Sequence, residues 1–195
     1  MTLPLASTDA LLIVDVQNDF LPGGALAVPD GDAVVPVLNG YIGLCDRRGL
    51  AIFATRDWHP EDHCSFHAQG GPWPPHCIAF SRGAALATGL ELPCSAAIVS
   101  KAQSADRDAY SGFQGTNLEA LLRARGVSRL FVGGLATDYC VLNTVRDALA
   151  RGFQVLLLRD AIRAVNVQPG DGDRAEAEML ALGAQPVTLA DLETE

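Results

Sequence analysis

Three side chains that could share one reaction stand at or just past the ends of apolar runs. Cys140 lies in GGLATDYCVLNTVRDALARG, where a Gly-rich turn runs into a helical pattern. Thr137 or Asp138 can cap that helix, and Cys140 then falls in its first turn, where the positive helix end favours a thiolate. The turn itself could aim backbone N–H groups at one point and hold an oxyanion. Asp15 closes the run LLIVD. A carboxylate there is costly to desolvate without a partner, and burial could raise its pKa until it exchanges protons near neutrality. Lys101 is the single lysine; the other 13 of the 14 basic residues are arginines. An ammonium is compact and can share or lose a proton, whereas a guanidinium stays charged. A lysine between the aspartate and the cysteine would hold both in ionised form. Together the three suit attack by sulfur on a carbonyl carbon, with the carboxyl carrying the proton. Each also has a plain structural alternative: an inert buried thiol, a turn aspartate, a surface lysine. For Cys45, Cys77 and Cys94 the buried structural reading is adopted.

A second group suits a metal. All four histidines, His59, His63, His67 and His76, fall within 18 residues, in TRDWHPEDHCSFHAQGGPWPPHC. Asp57-x-His59 places two ligand types on one side of an extended segment. His76 would complete a three-ligand site with open positions for water or substrate. His63 offers a fourth ligand, and His67 reads as a solvated loop residue. Oxygen and nitrogen donors suit one divalent ion: zinc, iron or manganese. Phe20 and Trp73 flank this region. They could stack on a flat heteroaromatic ring or simply pack.

The elements that must position these residues are legible as short apolar runs alternating with helical patterns. Residues 10–16, 50–56, 96–101, 129–135 and 153–160 read as buried strands, and a last short one lies near Gln185–Leu189. Helices are expected at about 31–48, 116–125, 137–151 and 172–183, the second opened by Thr116 and followed by Gly126. Such alternation predicts an α/β fold, a doubly wound three-layer sandwich on a six-stranded, mainly parallel sheet, in a single domain spanning 1–195. In open α/β sheets ligands bind beyond the carboxyl ends of the strands. Asp15, Asp57, Lys101 and Cys140 all end or follow a strand, so one rim should collect them. Residues 57–95 form a long irregular stretch, which in a compact domain is usually functional.

Composition narrows the partners. The net charge is −9, from 23 acids against 14 bases, which argues against nucleic acid and anionic membrane. No apolar run approaches the roughly 20 residues that span a bilayer. The first apolar stretch lacks a basic flank and runs into Asp15 and Asp19, so it reads as a strand and not a signal peptide. The expected setting is the cytoplasm, with the five cysteines reduced.

Taken together, DVQNDF with PGGALAV, TRDWHPEDHCSF, WPPHC, SK followed by DAYSGF, GLATDYCVLNTVRDAL and RDAIRAVNVQPGD resemble the nicotinamidase/pyrazinamidase family, within the isochorismatase-like cysteine hydrolases. The pieces run in order from Asp15 to Asp171. The resemblance implies a catalytic triad of Asp15, Lys101 and Cys140. It implies metal ligands Asp57, His59 and His76, with His63 a ligand in some members and Ser65 reaching the metal through water in others. It implies a cis peptide before Ala136, so that the Ala136 and Cys140 N–H groups form an oxyanion hole. Phe20, Trp73 and Tyr110 match positions lining a pyridine pocket. The implied reaction deamidates nicotinamide to nicotinate and ammonia, and pyrazinamide likewise, through a cysteine thioester in NAD salvage. A homodimer or higher homo-oligomer is a family-level expectation. The alternative is an N-carbamoyl or ureido amidohydrolase of the same superfamily. Two departures touch the pocket rim: AQSADRDAYSGF lacks the glycine often found beside the lysine, and the stretch between DWHP and WPPHC is short.

Overall fold

A computed structural model describes residues 3–192. Six strands form one sheet: β1 (Asp9–Val14), β2 (Ala51–Asp57), β3 (Ala97–Lys101), β4 (Arg129–Leu135), β5 (Gln154–Arg163) and β6 (Gln185–Val187). Their order is β3-β2-β1-β4-β5-β6, and every pairing is parallel. The helices are α1 (Val34–Arg47), α2 (Leu118–Ala124), α3 (Leu142–Ala150) and α4 (Asp171–Ala181). The expected doubly wound α/β sandwich is therefore the observed one.

β1 lies at the centre of the sheet, and all six of its residues are buried. Its side chains alternate between two cores. Leu11 and Ile13 pack with Val34, Leu38 and Ile42 of α1. Ala10, Leu12 and Val14 pack with Leu118 and Leu122 of α2, Val145 of α3 and Met179 of α4. A strand buried on both faces is apolar almost throughout, which is why an unbroken apolar run marked it; its one charge, Asp9, is paired with Arg129. Pro36 sits in the first turn of α1, where a missing N–H costs little.

Element boundaries shifted at functional places. β1 stops at Val14, and Asp15 follows with φ +49°. Strand β5 runs three residues past the expected end at 160, to Arg163. The pattern at 137–151 does not start as an α-helix: Thr137–Val141 form one π-helical turn before α3. Thr116 does shape the start of α2, accepting a hydrogen bond from the Leu118 N–H at 3.2 Å. Among the described residues no helix is long and apolar enough to cross a membrane.

The chain's winding direction reverses between β1 and β4, so the switch point opens where Asp15 and the Cys140 turn emerge. Gly134 makes that junction close. Its φ is +119°, and a Cβ there would lie 2.1 Å from the Val14 carbonyl oxygen. Gly134→Ala is expected to lose on the order of 3 kcal/mol of stability, read as a lower urea midpoint with unchanged slope.

The loop between β2 and β3 is irregular but fixed. Gln17 is fully buried, and its Nε2 donates to the carbonyls of Asp57 at 2.8 Å and Ala84 at 2.9 Å. Its Oε1 accepts the Asp57 N–H at 2.7 Å. One amide thus ties the end of β2 to the far part of the loop.

Candidate active site

Parallel pairing sets Asp57 beside Lys101 in register at the ends of β2 and β3. Lys101 is buried, and its Nζ lies 2.5 Å from Asp57 Oδ1, 3.0 Å from Asp15 Oδ2 and 2.9 Å from the Ala109 carbonyl. Cys140 Sγ is 3.5 Å from the same Nζ. Asp15 is held from the other side by the Thr55 hydroxyl, which donates to Oδ1 at 2.6 Å. The structure therefore brings Asp15, Lys101 and Cys140 into contact from β1, β3 and the turn after β4.

Electrostatics at the sulfur departs from the simple expectation of a thiolate. Burial raises the Cys140 thiol well above its usual range, against the opposing pull of Lys101. Burial likewise raises Asp15, with Lys101 pulling it down and Asp57 pushing it up. Burial works to discharge Lys101, but the charges of Asp15 and Asp57 outweigh it and hold the ammonium well above the lysine range. One cation shared by two carboxylates offsets only part of the cost of burying a thiolate. Burial thus favours the protonated thiol, beside a carboxyl whose own proton affinity is raised by the same burial.

Asp57, His59 and His76 form a second buried group, with one donor atom of each lying within 4.8 Å of the others. His59 Nδ1 lies 3.3 Å from the Ala102 carbonyl, and His76 Nδ1 lies 2.8 Å from the Pro74 carbonyl. A carbonyl only accepts, so each contact places the ring proton on Nδ1 and leaves Nε2 as the free lone pair. His59 Nε2 is 3.8 Å from Asp57 Oδ2, the oxygen that Lys101 does not take. Burial lowers the His59 pKa to about 3, so the ring is neutral, as a ligand must be. Two imidazoles and a carboxylate, oriented by fixed carbonyls, fit a divalent transition-metal ion.

His63 stands behind this group. Its Nε2 meets the Arg107 carbonyl at 3.2 Å and its Nδ1 meets the Ser65 hydroxyl at 2.7 Å, so both nitrogens are engaged. Its ring lies over that of His59, with centroids 4.1 Å apart. His67 is exposed, as expected. Cys45 and Cys77 are buried, but Cys94 is exposed, because it sits in an irregular surface segment rather than on a strand.

Above the two groups is a pocket with Cys140, Ala136, Asp57 and His76 in its lining. Phe20, Leu26, Val28 and Val165 make apolar walls, and Trp73, Tyr110 and Tyr139 an aromatic one. The Trp73 indole N–H donates to the Tyr110 hydroxyl at 3.0 Å, and Tyr139 stands edge-on to Trp73 at 5.1 Å. The peptide between Leu135 and Ala136 is cis. Asp138 does not cap the helix: its carboxylate accepts the N–H groups of Val165 at 2.9 Å and Asn166 at 2.8 Å, which sets the Val165 wall. Tyr139, Thr55 and Gln17 were not singled out from sequence. Tyr139 neighbours the cysteine, and the other two are polar residues in or beside apolar runs, a signal that was available.

The isochorismatase domain family matches residues 9–191. The chain belongs to the isochorismatase family. Within it, the chain is 45% identical to the nicotinamidase of Escherichia coli over 94% of its own length and 96% of that protein. The pyrazinamidase of Pyrococcus horikoshii, solved in complex with zinc, is 49% identical, with a TM-score of 0.89 over 93% of this chain and 99% of that one. A protein of L. infantum solved in complex with nicotinate is 38% identical, with a TM-score of 0.91 over the whole of both chains.

Proposed function

We propose that this isochorismatase-family enzyme deamidates nicotinamide to nicotinate and ammonia, and pyrazinamide to its acid, in the recovery of pyridine nucleotides (NAD salvage). The observation that carries the reading is Cys140 Sγ at 3.5 Å from Lys101 Nζ, in a pocket that also exposes the Asp57 and His76 edge of the metal group.

Asp15 accepts the Cys140 proton as sulfur bonds to the carboxamide carbon. Lys101 keeps Asp15 and Asp57 in place and offsets the charge that builds between acid and sulfur. The N–H groups of Ala136 and Cys140 hold the oxyanion. Asp15 then protonates the departing nitrogen, ammonia leaves, and a thioester on Cys140 remains. Asp15 takes a proton from water as its oxygen attacks the thioester, sulfur regains a proton, and the acid is released. Phe20, Trp73 and Tyr110 sandwich the ring, and Tyr139 completes that wall. Asp57, His59 and His76 would hold one divalent ion, zinc on this donor set and on the likeness to the zinc-bound pyrazinamidase, with His63 supporting His59 from behind. When bound, that ion supplies a Lewis-acid contact for the ring nitrogen and so orients the ring.

The deciding measurement is ammonia release from nicotinamide by metal-stripped and zinc-restored protein. Activity is expected to fall on stripping and to return with zinc; full activity after stripping would sink the orienting role. Benzamide, which lacks the ring nitrogen, is expected to show a kcat/KM about 10²-fold below that of nicotinamide. Equal turnover of the two amides would contradict the proposal on the same point.

A further inference from the structure

Asp19 touches neither the triad nor the pocket, yet it ties together the segments that carry much of both the metal group and the apolar wall. Its Oδ2 accepts the Cys77 N–H at 2.7 Å, and its Oδ1 accepts the Ala25 N–H at 3.2 Å. Its backbone N–H donates to the Gly83 carbonyl at 3.0 Å, and its carbonyl accepts the Leu26 N–H at 2.9 Å. Cys77 is the junction that matters. It follows His76 directly, and its carbonyl accepts the His59 N–H at 3.0 Å. Its φ is +46°, in the left-handed region that a β-substituted residue adopts only when held there. One carboxylate thus anchors the residue on which both imidazole-bearing segments depend. The same side chain holds Ala25, while the Asp19 backbone carbonyl holds Leu26, and Phe20, the next residue along, lies 5.7 Å from the His76 ring.

Gly83 shows how closely this carboxylate is fitted. A Cβ at position 83 would come within 2.1 Å of Asp19 Oδ2. Glycine there leaves the acid room to sit flat against the loop.

We infer that Asp19 is a positioning residue: through Cys77 its carboxylate sets the spacing of His59 and His76, and through Ala25 it holds the strap that carries Leu26 into the adjacent ring-binding wall. The inference rests on the proposed reading of His59 and His76 as metal ligands. Asp19→Ala is expected to weaken zinc binding 10- to 100-fold, the range seen when groups supporting a ligand are removed. Nicotinamide KM should rise about tenfold, while kcat at saturating zinc stays within about threefold. The rate of Cys140 alkylation by iodoacetamide should not change, because Asp15 and Lys101 are untouched. Asp19→Asn keeps the shape and one acceptor for Cys77, but turns an amide N–H₂ towards the Ala25 N–H, so its zinc affinity should fall between those of wild type and Asp19→Ala. Gly83→Ala, which displaces the carboxylate without removing its charge, should reproduce Asp19→Ala.

Zinc affinity measured by competition with a chelator decides the matter. Equal affinity in wild type and Asp19→Ala overturns this inference alone. A parallel loss of zinc affinity and alkylation rate also overturns it, by showing general loosening. Wild-type protein that holds no zinc overturns the metal reading and this inference with it. If Asp19→Ala does not fold, Asp19→Asn carries the test, and wild-type zinc affinity in that variant is the contrary result.

Discussion

Cys140→Ala is expected to release no ammonia from nicotinamide above the uncatalysed rate, a loss of at least about 10⁴-fold in kcat, while still binding zinc. The sulfur has no understudy in the pocket. Asp15 accepts from Thr55 through Oδ1 and is ion-paired with Lys101 through Oδ2, and Asp57 is bonded to Lys101 and turned towards His59. A methyl group in place of the thiol removes the atom that must bond to carbon and leaves the other partners standing. The structural cost is small, about 1 kcal/mol for a small buried change, so the folded variant can be assayed directly. Ammonia release alongside metal analysis separates loss of the nucleophile from loss of the metal. Turnover by this variant would assign the attack to another group and make Cys140 structural.

Lys101→Met is the second large effect, and it should appear in two measurements. The ammonium stands against two carboxylates, at 2.5 Å from Asp57 and 3.0 Å from Asp15, with both partners buried. Methionine fits the volume but leaves two buried acids facing one another without a cation. Breaking a buried ion pair by removing one partner costs about 3–5 kcal/mol, and urea denaturation should show a loss of that order. Activity should fall by about 10³-fold at saturating substrate, because Asp15 then rises further and becomes a poor carrier of the Cys140 proton. Lys101→Arg should not restore it. A planar guanidinium cannot occupy a site shaped for one nitrogen with donors to Asp15, Asp57 and the Ala109 carbonyl. Wild-type activity in either variant would remove Lys101 from the mechanism.

The same cation explains where sequence reasoning about charge went astray. Lone-lysine statistics pointed to Lys101, and strand-end logic pointed to Asp15 and Asp57, but their distances were invisible. Lys101 was expected to serve an aspartate and a cysteine. It lies closest to two aspartates, and to the thiol at 3.5 Å, so its pull on the thiol is outweighed by burial. Helix capping failed for a related reason. Asp138 has the right residue type for a cap, but the N–H groups of Val165 and Asn166, far along the chain, take its carboxylate.

The chain's own order of residues determined the alternation of strand and helix, the parallel sheet, and the delivery of an acid, a lysine, a cysteine and a histidine-rich loop to one rim. Those follow from local physics: short apolar runs alternating with helical patterns form the buried strands of a parallel sheet, and residues at their carboxyl ends gather where such sheets bind ligands. Tertiary structure alone decided which partners those polar groups took. It divided Lys101 between Asp15 and Asp57, set His63 behind His59, replaced an α-helical start by a π turn at Cys140, and made Asp19 and Gln17 the ties of the irregular loop. Partner choice depends on distances of a few ångströms between residues that mostly stand far apart in the chain, and no period or spacing along it encodes them.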